Sequence, residues 1–216
     1  MATVARGWEA FRVFLEMVKI EHSIFALPFA LVGMCWGSIY AFGSTWPGWS
    51  IFFWIVVAMV SCRTAAMAFN RIADREIDAK NPRTKMRAIP ACLLSLRHAN
   101  LYFYGACILF FVAAWMLNPL ALMLSPLALG ITLFYSITKR FTPLCHVVLG
   151  ASLGIAPAAA FIAVTGKFEP AIFLLFFAVM FWTAGFDILY SLQDEQFDHE
   201  QGLRSMPQTL GVTKSR

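Results

Sequence analysis

Asn70, Asp74 and Asp78 recur every four residues in the string NRIADREID. A helix advances about 100° per residue, so each step of four drifts by only about 40° and the spacing predicts one polar face along one continuous helix. A second string, DILYSLQDEQFD, sets Asp187, Asp194 and Asp198 at i, i+7 and i+11, again within about 40° of one another, with Tyr190 on the flank. Carboxylates in such an array suit a hard divalent cation, because Mg²⁺ takes a few carboxylates and fills its octahedron with water and phosphate oxygens. Two facing stripes therefore suit a diphosphate clamped through Mg²⁺, the metal neutralising charge that grows on the leaving group. Asp74, Asp78, Asp187, Asp194 and Asp198 are the candidate ligands. Either stripe alone also reads as a solvated helix end with ordinary surface acids; that reading weakens when both occur together.

Cations stand close by. Arg75, Lys80, Arg83, Lys85 and Arg87 follow the first string, and Lys139 and Arg140 follow a later apolar run. Arg and Lys are the usual partners of phosphate oxygens, so Arg83, Arg87, Lys139 and Arg140 join Asn70 as candidate substrate-binding residues. The remaining cations read as topology signals or contacts to anionic lipid. Arg63 lies seven residues before Asn70, about two turns, and so shares the acidic face. It reads either as the partner of a carboxylate on a second substrate or as an ion pair with an acid such as Asp187. Glu21, His22 and His146, at the starts of apolar runs, read as caps or snorkelling groups, whereas His98 and His199 fall in charged loops.

The elements that carry these residues are set by an apolar composition. Of the 216 residues, 60% are hydrophobic and only 13% charged, well outside soluble-domain usage. Six runs approach the length of about 20 residues that a bilayer requires: 23–42, 51–69, 100–117, 120–137, 146–165 and 171–190. The fold class expected is an all-α polytopic transmembrane bundle of six spans forming one domain over 1–216. Pro28, Pro126 and Pro157 would kink three of the spans. Before the first span, residues 7–22 place Trp8, Phe11, Leu15 and Val18 on one side, predicting a helix lying in the membrane interface.

Fifteen of the 17 lysines and arginines fall on one side if the termini share it; Lys167 lies opposite and Arg63 within a span. The positive-inside rule then predicts N-in and C-in, with both acidic strings at the cytoplasmic mouth of a multi-pass inner (plasma) membrane protein. A net charge of +5 distributed in this way points to lipid and away from nucleic acid. Cys35, Cys62, Cys92, Cys107 and Cys145 are scattered, which argues against a disulfide framework or a zinc site.

The motifs Asn70-x₃-Asp74-x₃-Asp78 and Asp187-x₂-Tyr190-x₃-Asp194-x₃-Asp198 resemble those of the UbiA superfamily of intramembrane aromatic prenyltransferases. So do the strings PRTKMRAIP (82–90), YSITKR (135–140) and GLRSMPQTLG (202–211). The resemblance runs from about Lys19 to the C-terminus, and KIEHSIFALPFA and YSITKR look most like 4-hydroxybenzoate polyprenyltransferases and their naphthoate-using relatives. It implies an all-helical, Mg²⁺-dependent transferase that moves a polyprenyl group from its diphosphate to an aromatic acid, typically in ubiquinone or menaquinone synthesis. Asp74, Asp78, Asp194, Asp198 and Tyr190 are then the candidate catalytic residues. Cys92 stands where such proteins often carry glycine. The family usually has nine spans, and this chain stops after the sixth, which predicts an open cavity and weak catalysis by the chain alone. The rival class, a transporter with intramembrane carboxylates, would scatter acids along a path to both faces; here they crowd one mouth.

Overall fold

The computed structural model describes residues 5–19, 26–194 and 200–211, without the side chains of Asp194 and Leu210. All its regular elements are helical: α1 (Gly7–Val18), α2 (Leu27–Phe42), α3 (Trp49–Ala73), α4 (Arg75–Lys80), α5 (Leu96–Leu117), α6 (Pro119–Thr138), α7 (Cys145–Thr165), α8 (Ile172–Ser191), a 3₁₀ turn (Leu192–Asp194) and α9 (Met206–Leu210). Five of them, α3 and α5 to α8, are long and apolar enough to cross a membrane. The sixth expected span appears as α2, apolar but only 16 residues long; residues 20–25 lie outside the described part.

Two groups of three long helices make the bundle. α3, α5 and α6 pack on one another, α7 packs between α2 and α8, and the α6–α7 contact joins the groups. Close approach in the second group depends on glycines at the helix crossings. A Cβ on Gly33 of α2 would collide with the Pro157 carbonyl oxygen of α7, and one on Gly150 of α7 with the Met180 carbonyl oxygen of α8. Small residues at such crossings let backbones meet in a membrane, where association rests on packing. Large apolar side chains instead cover the outside, Leu174, Met123 and Trp115 among them, as expected where lipid is the solvent.

Asn118 buttresses the end of the bundle remote from the motifs. Its carbonyl oxygen caps α6 by accepting from Ala121 N–H at 2.8 Å, and its amide donates to Ile162 O at 2.9 Å and Ala163 O at 3.0 Å.

Three sequence expectations change. α1 ends at Val18 and buries Ala10, Phe14, Met17 and Val18 against α3, α5 and the 88–94 turn, while Trp8 is 73% exposed; the apolar face is rotated because Tyr102 and Phe103 of α5 offer the covering surface. Pro28 is at the start of α2, where a missing N–H breaks no helical bond, so only Pro126 and Pro157 lie inside helices. The third change concerns the first acidic string. The helix carrying Asn70 stops at Ala73, Asp74 takes φ −94°, ψ 8°, and α4 starts afresh at Arg75.

Candidate active site

The joint at Asp74 keeps the rhythm of the acidic string while bending its path. Asp74 N–H donates to Asn70 O at 2.9 Å and Asp78 N–H to Asp74 O at 2.8 Å, so all three side chains still reach the same space. That space is a cavity of about 280 Å³ at the motif end of the bundle. Asn70, Asp74 and Asp78 line it from α3 and α4, Arg83 and Arg87 from the following turn, Lys139 and Arg140 from the end of α6, and Asp187 and Tyr190 from α8. Nine candidate residues, drawn from segments up to 120 positions apart, thus converge.

Each described carboxylate in the cavity holds a nitrogen partner. Arg87 Nη1 donates to both oxygens of Asp78, at 2.6 and 2.7 Å, and this carboxylate is nearly buried. Arg140 Nη2 reaches Asp74 Oδ1 at 2.9 Å and the Ala73 carbonyl at 2.7 Å. Asn70 donates to Asp74 Oδ2 at 3.1 Å and accepts from Arg71 at 3.2 Å. Burial raises the Asp74 carboxyl above its ordinary value, and the hydrogen bond and charge of Arg140 oppose that rise. Asp187 Oδ2 lies 2.6 Å from His146 Nδ1. Across the mouth, Arg83 stands 6.0 Å from the Tyr190 ring centroid and donates to its hydroxyl at 3.4 Å, linking the two motif segments.

The 81–94 turn is held from within. Asn81 Oδ1 accepts from Arg83 N–H at 2.9 Å, and Thr84 Oγ1 donates to Asp78 O at 3.1 Å. These short polar side chains bond nearby backbone as turns require. Cys92 takes φ +57°, the left-handed region where glycine is at ease.

Three predicted site residues stand apart. Arg63 is absent from the cavity lining; its Nη1 donates to Val18 O and Lys19 O, both at 3.2 Å, satisfying carbonyls that the end of α1 leaves without helical donors. The side chain of Asp194, and Asp198 altogether, lie outside the described residues, as do Glu21, His22 and His199. His146, expected to cap or snorkel, is 2% exposed and faces the site, because Asp187 offers it an acceptor. Sequence reasoning also missed Arg71, Asn81, Thr84 and Tyr135 as cavity lining. Thr84 and Tyr135 fall in the strings PRTKMRAIP and YSITKR; nothing in the chain linked His146 to a residue 41 positions away.

Among the described residues no three His, Cys, Asp or Glu groups come together as a ready metal cage. Mg²⁺ is commonly bound through one or two carboxylates together with substrate phosphates and water. Asp74, Asp78 and Asp187 supply hard oxygens of the kind such an ion takes, and Arg83, Lys139 and Arg140 stand in the same lining as the usual partners of phosphate oxygens.

Comparison with known proteins agrees with this geometry. The model of the UbiA prenyltransferase family matches residues 26–216. A 4-hydroxybenzoate octaprenyltransferase of Saccharophagus degradans is 31% identical over 159 residues, 74% of this chain and 53% of the relative. One from Alcanivorax borkumensis is 31% identical over 195 residues, 89% of this chain and 66% of the relative. The chain thus spans between about half and two thirds of these relatives' length. The apo structure of a UbiA homologue from Aeropyrum pernix K1 superposes with a TM-score of 0.83 at 39% identity, covering 91% of this chain and 72% of that one. A homologue from Archaeoglobus fulgidus, solved with DMAPP and Mg²⁺, shares the fold with a TM-score of 0.73 at 22% identity, covering 94% and 70%. Joined to a membrane-type helical bundle and a carboxylate-lined mouth, these matches identify the chain as a member of the UbiA prenyltransferase family.

Proposed function

We propose that this chain binds a polyprenyl diphosphate with Mg²⁺ at the motif-end cavity and transfers the prenyl group to an aromatic acid such as 4-hydroxybenzoate, as a step in quinone synthesis. The observation that carries this reading is the convergence of Asn70, Asp74 and Asp78 from one string, Asp187 and Tyr190 from the other, and four cations on one cavity in which each described acid has a nitrogen partner. Names of relatives, 4-hydroxybenzoate octaprenyltransferases among them, support the acceptor. The proposed setting is a multi-pass inner membrane protein with the cavity open to the cytoplasm.

The pairing suggests how the residues work. Asp74 and Asp78, with Asp187, Asp194 and Asp198 as further candidates, would hold the Mg²⁺, which supplies neutralising charge to the departing diphosphate. Turning from Arg140 and Arg87, Asp74 and Asp78 would free two guanidiniums for phosphate oxygens, alongside Arg83 and Lys139. Every charge then keeps a partner, which limits the cost of moving ions in a low-dielectric site. Tyr190, held by Arg83, presents an aromatic face to positive charge developing on the allylic carbon. Ile77, Leu149 and Leu203 are the apolar part of the lining, where the prenyl end of the substrate would lie.

The test is a transfer assay on membranes containing the chain, using labelled prenyl diphosphate and a panel of phenolic and naphthoic acids with Mg²⁺ or EDTA. Mg²⁺-dependent product with 4-hydroxybenzoate is expected. Product from the naphthoic acids alone would reassign the acceptor, and absence of product with every acid would defeat the reading.

A further inference from the structure

A buried histidine stands behind one of the site's carboxylates. His146, at the start of α7, is 2% exposed and uses both ring nitrogens. Its Nδ1 lies 2.6 Å from Asp187 Oδ2 on α8, and its Nε2 lies 3.4 Å from the backbone nitrogen of Met206. A peptide N–H can only donate, so Nε2 accepts and the ring proton stands on Nδ1, aimed at the carboxylate. Asp187 is itself part-exposed to the cavity. Its other oxygen carries no hydrogen bond among the described residues, so His146 supplies the one described donor to this carboxylate.

The segment that supplies the Met206 N–H is itself pinned. Arg204 N–H donates to Lys139 O at 2.7 Å, Arg204 Nη1 to Phe141 O at 3.0 Å, and Cys145 Sγ lies 3.6 Å from Arg204 O. Ser205 is fully buried, and its hydroxyl caps α9. The strap is therefore docked on the α6–α7 turn, the same turn that delivers Lys139 and Arg140 to the cavity. A strap fixed there sets the tautomer of His146, and the tautomer sets the donor that Asp187 sees.

We propose that His146 is a positioning residue for the transfer reaction: its Nδ1–H holds the Asp187 carboxylate aimed into the cavity, and the docked 203–210 strap fixes the tautomer that makes this possible. The role rests on the reading of the cavity as a transfer site. It resembles the way outer partners orient ligating or reacting groups, whose loss typically costs about 10–100-fold in affinity or activity.

Three variants of the full chain separate this role from packing. His146→Asn keeps an N–H where Nδ1 stands and gives up Nε2. His146→Gln reaches the Nε2 position and leaves Asp187 without its donor. His146→Leu removes both. The expected result is that His146→Asn retains kcat within about threefold, whereas His146→Gln and His146→Leu lose roughly 10–100-fold without a matching rise in the KM for prenyl diphosphate. Equal losses in the Asn and Gln variants, or no loss in Gln, would overturn the proposal. A second measurement does not need turnover: ¹⁵N spectra of histidine-labelled chain in detergent, with the His146 signals identified by their loss in His146→Asn. A neutral ring protonated on Nδ1, its proton shifted far downfield by the short bond to Asp187, is expected. A ring protonated on Nε2, whether alone or together with Nδ1, would overturn the proposal. If the unaltered chain shows no transfer, the functional reading fails, while the ¹⁵N spectrum still decides whether His146 holds Asp187.

Discussion

Asp74 carries the account at the level of single residues, because it joins the Asn70–Arg71 pair to Arg140 at the helix joint. Asp74→Asn keeps the volume and removes the charge, so transfer should fall by more than the 10–100-fold typical of outer-sphere changes, with helix content by circular dichroism unchanged. Near-normal turnover would remove Asp74 from the proposed chemistry. Arg87→Leu tests a different property, since it strands the nearly buried Asp78 carboxylate. Stranding one member of such a pair costs about 3–5 kcal/mol, to be read as a lower midpoint of thermal unfolding in detergent. Arg87→Leu combined with Asp78→Leu should recover part of that loss. Cys92→Gly should act in the opposite sense, stabilising by about 1 kcal/mol, because the left-handed backbone at φ +57° strains any residue with a Cβ. The sequence disclosed Asp74, Asp78 and their cations through a four-residue rhythm, and Cys92 through comparison with a glycine. It marked Asp187 as a candidate ligand and His146 as a cap or snorkelling group, but disclosed nothing of their contact, which exists only once α7 and α8 cross.

The crossings of α7 with its neighbours decide the site at the level of elements. α7 meets α2 at Gly33 and α8 at Gly150 with backbone nearly touching backbone, and α8 carries Asp187 and Tyr190 into the cavity. Gly150→Val should push α8 away, costing about 1–3 kcal/mol or more from overpacking and lowering transfer as Asp187 leaves His146. If the thermal midpoint and turnover both remain unchanged, the crossing is looser than described. Helix positions were legible from apolar run length, and five of the six runs form helices of spanning length. The break at Asp74 was illegible because a four-residue period survives it, the backbone bonds on either side running on in helical order. The buried face of α1 was also hidden, since an amphipathic helix shows an apolar stripe without showing which neighbour will cover it. Arg63 reads differently for the same reason: a cation on the acidic face by spacing, it reaches across to the last carbonyls of α1.

At the scale of the whole molecule, the motifs share one end of the bundle and Lys167 lies at the other. Single cysteines placed at Lys85, Glu200 or Lys167, all exposed positions, in a chain cleared of its five native cysteines, test the proposed orientation. The first two should react with an impermeant thiol reagent only from the cytoplasmic side and the third only from outside. Opposite labelling of Lys85 and Glu200 would separate the two acidic strings and end the idea of a shared site. The central claim is that this end of the bundle grips a diphosphate through Mg²⁺, and calorimetry on the purified chain tests it most directly. A short prenyl diphosphate titrated into the detergent-solubilised protein should bind at a single site in Mg²⁺, bind far more weakly in EDTA, and lose its Mg²⁺ dependence in Asp74→Asn. Binding of equal strength with and without Mg²⁺, or undiminished in Asp74→Asn, would contradict the account.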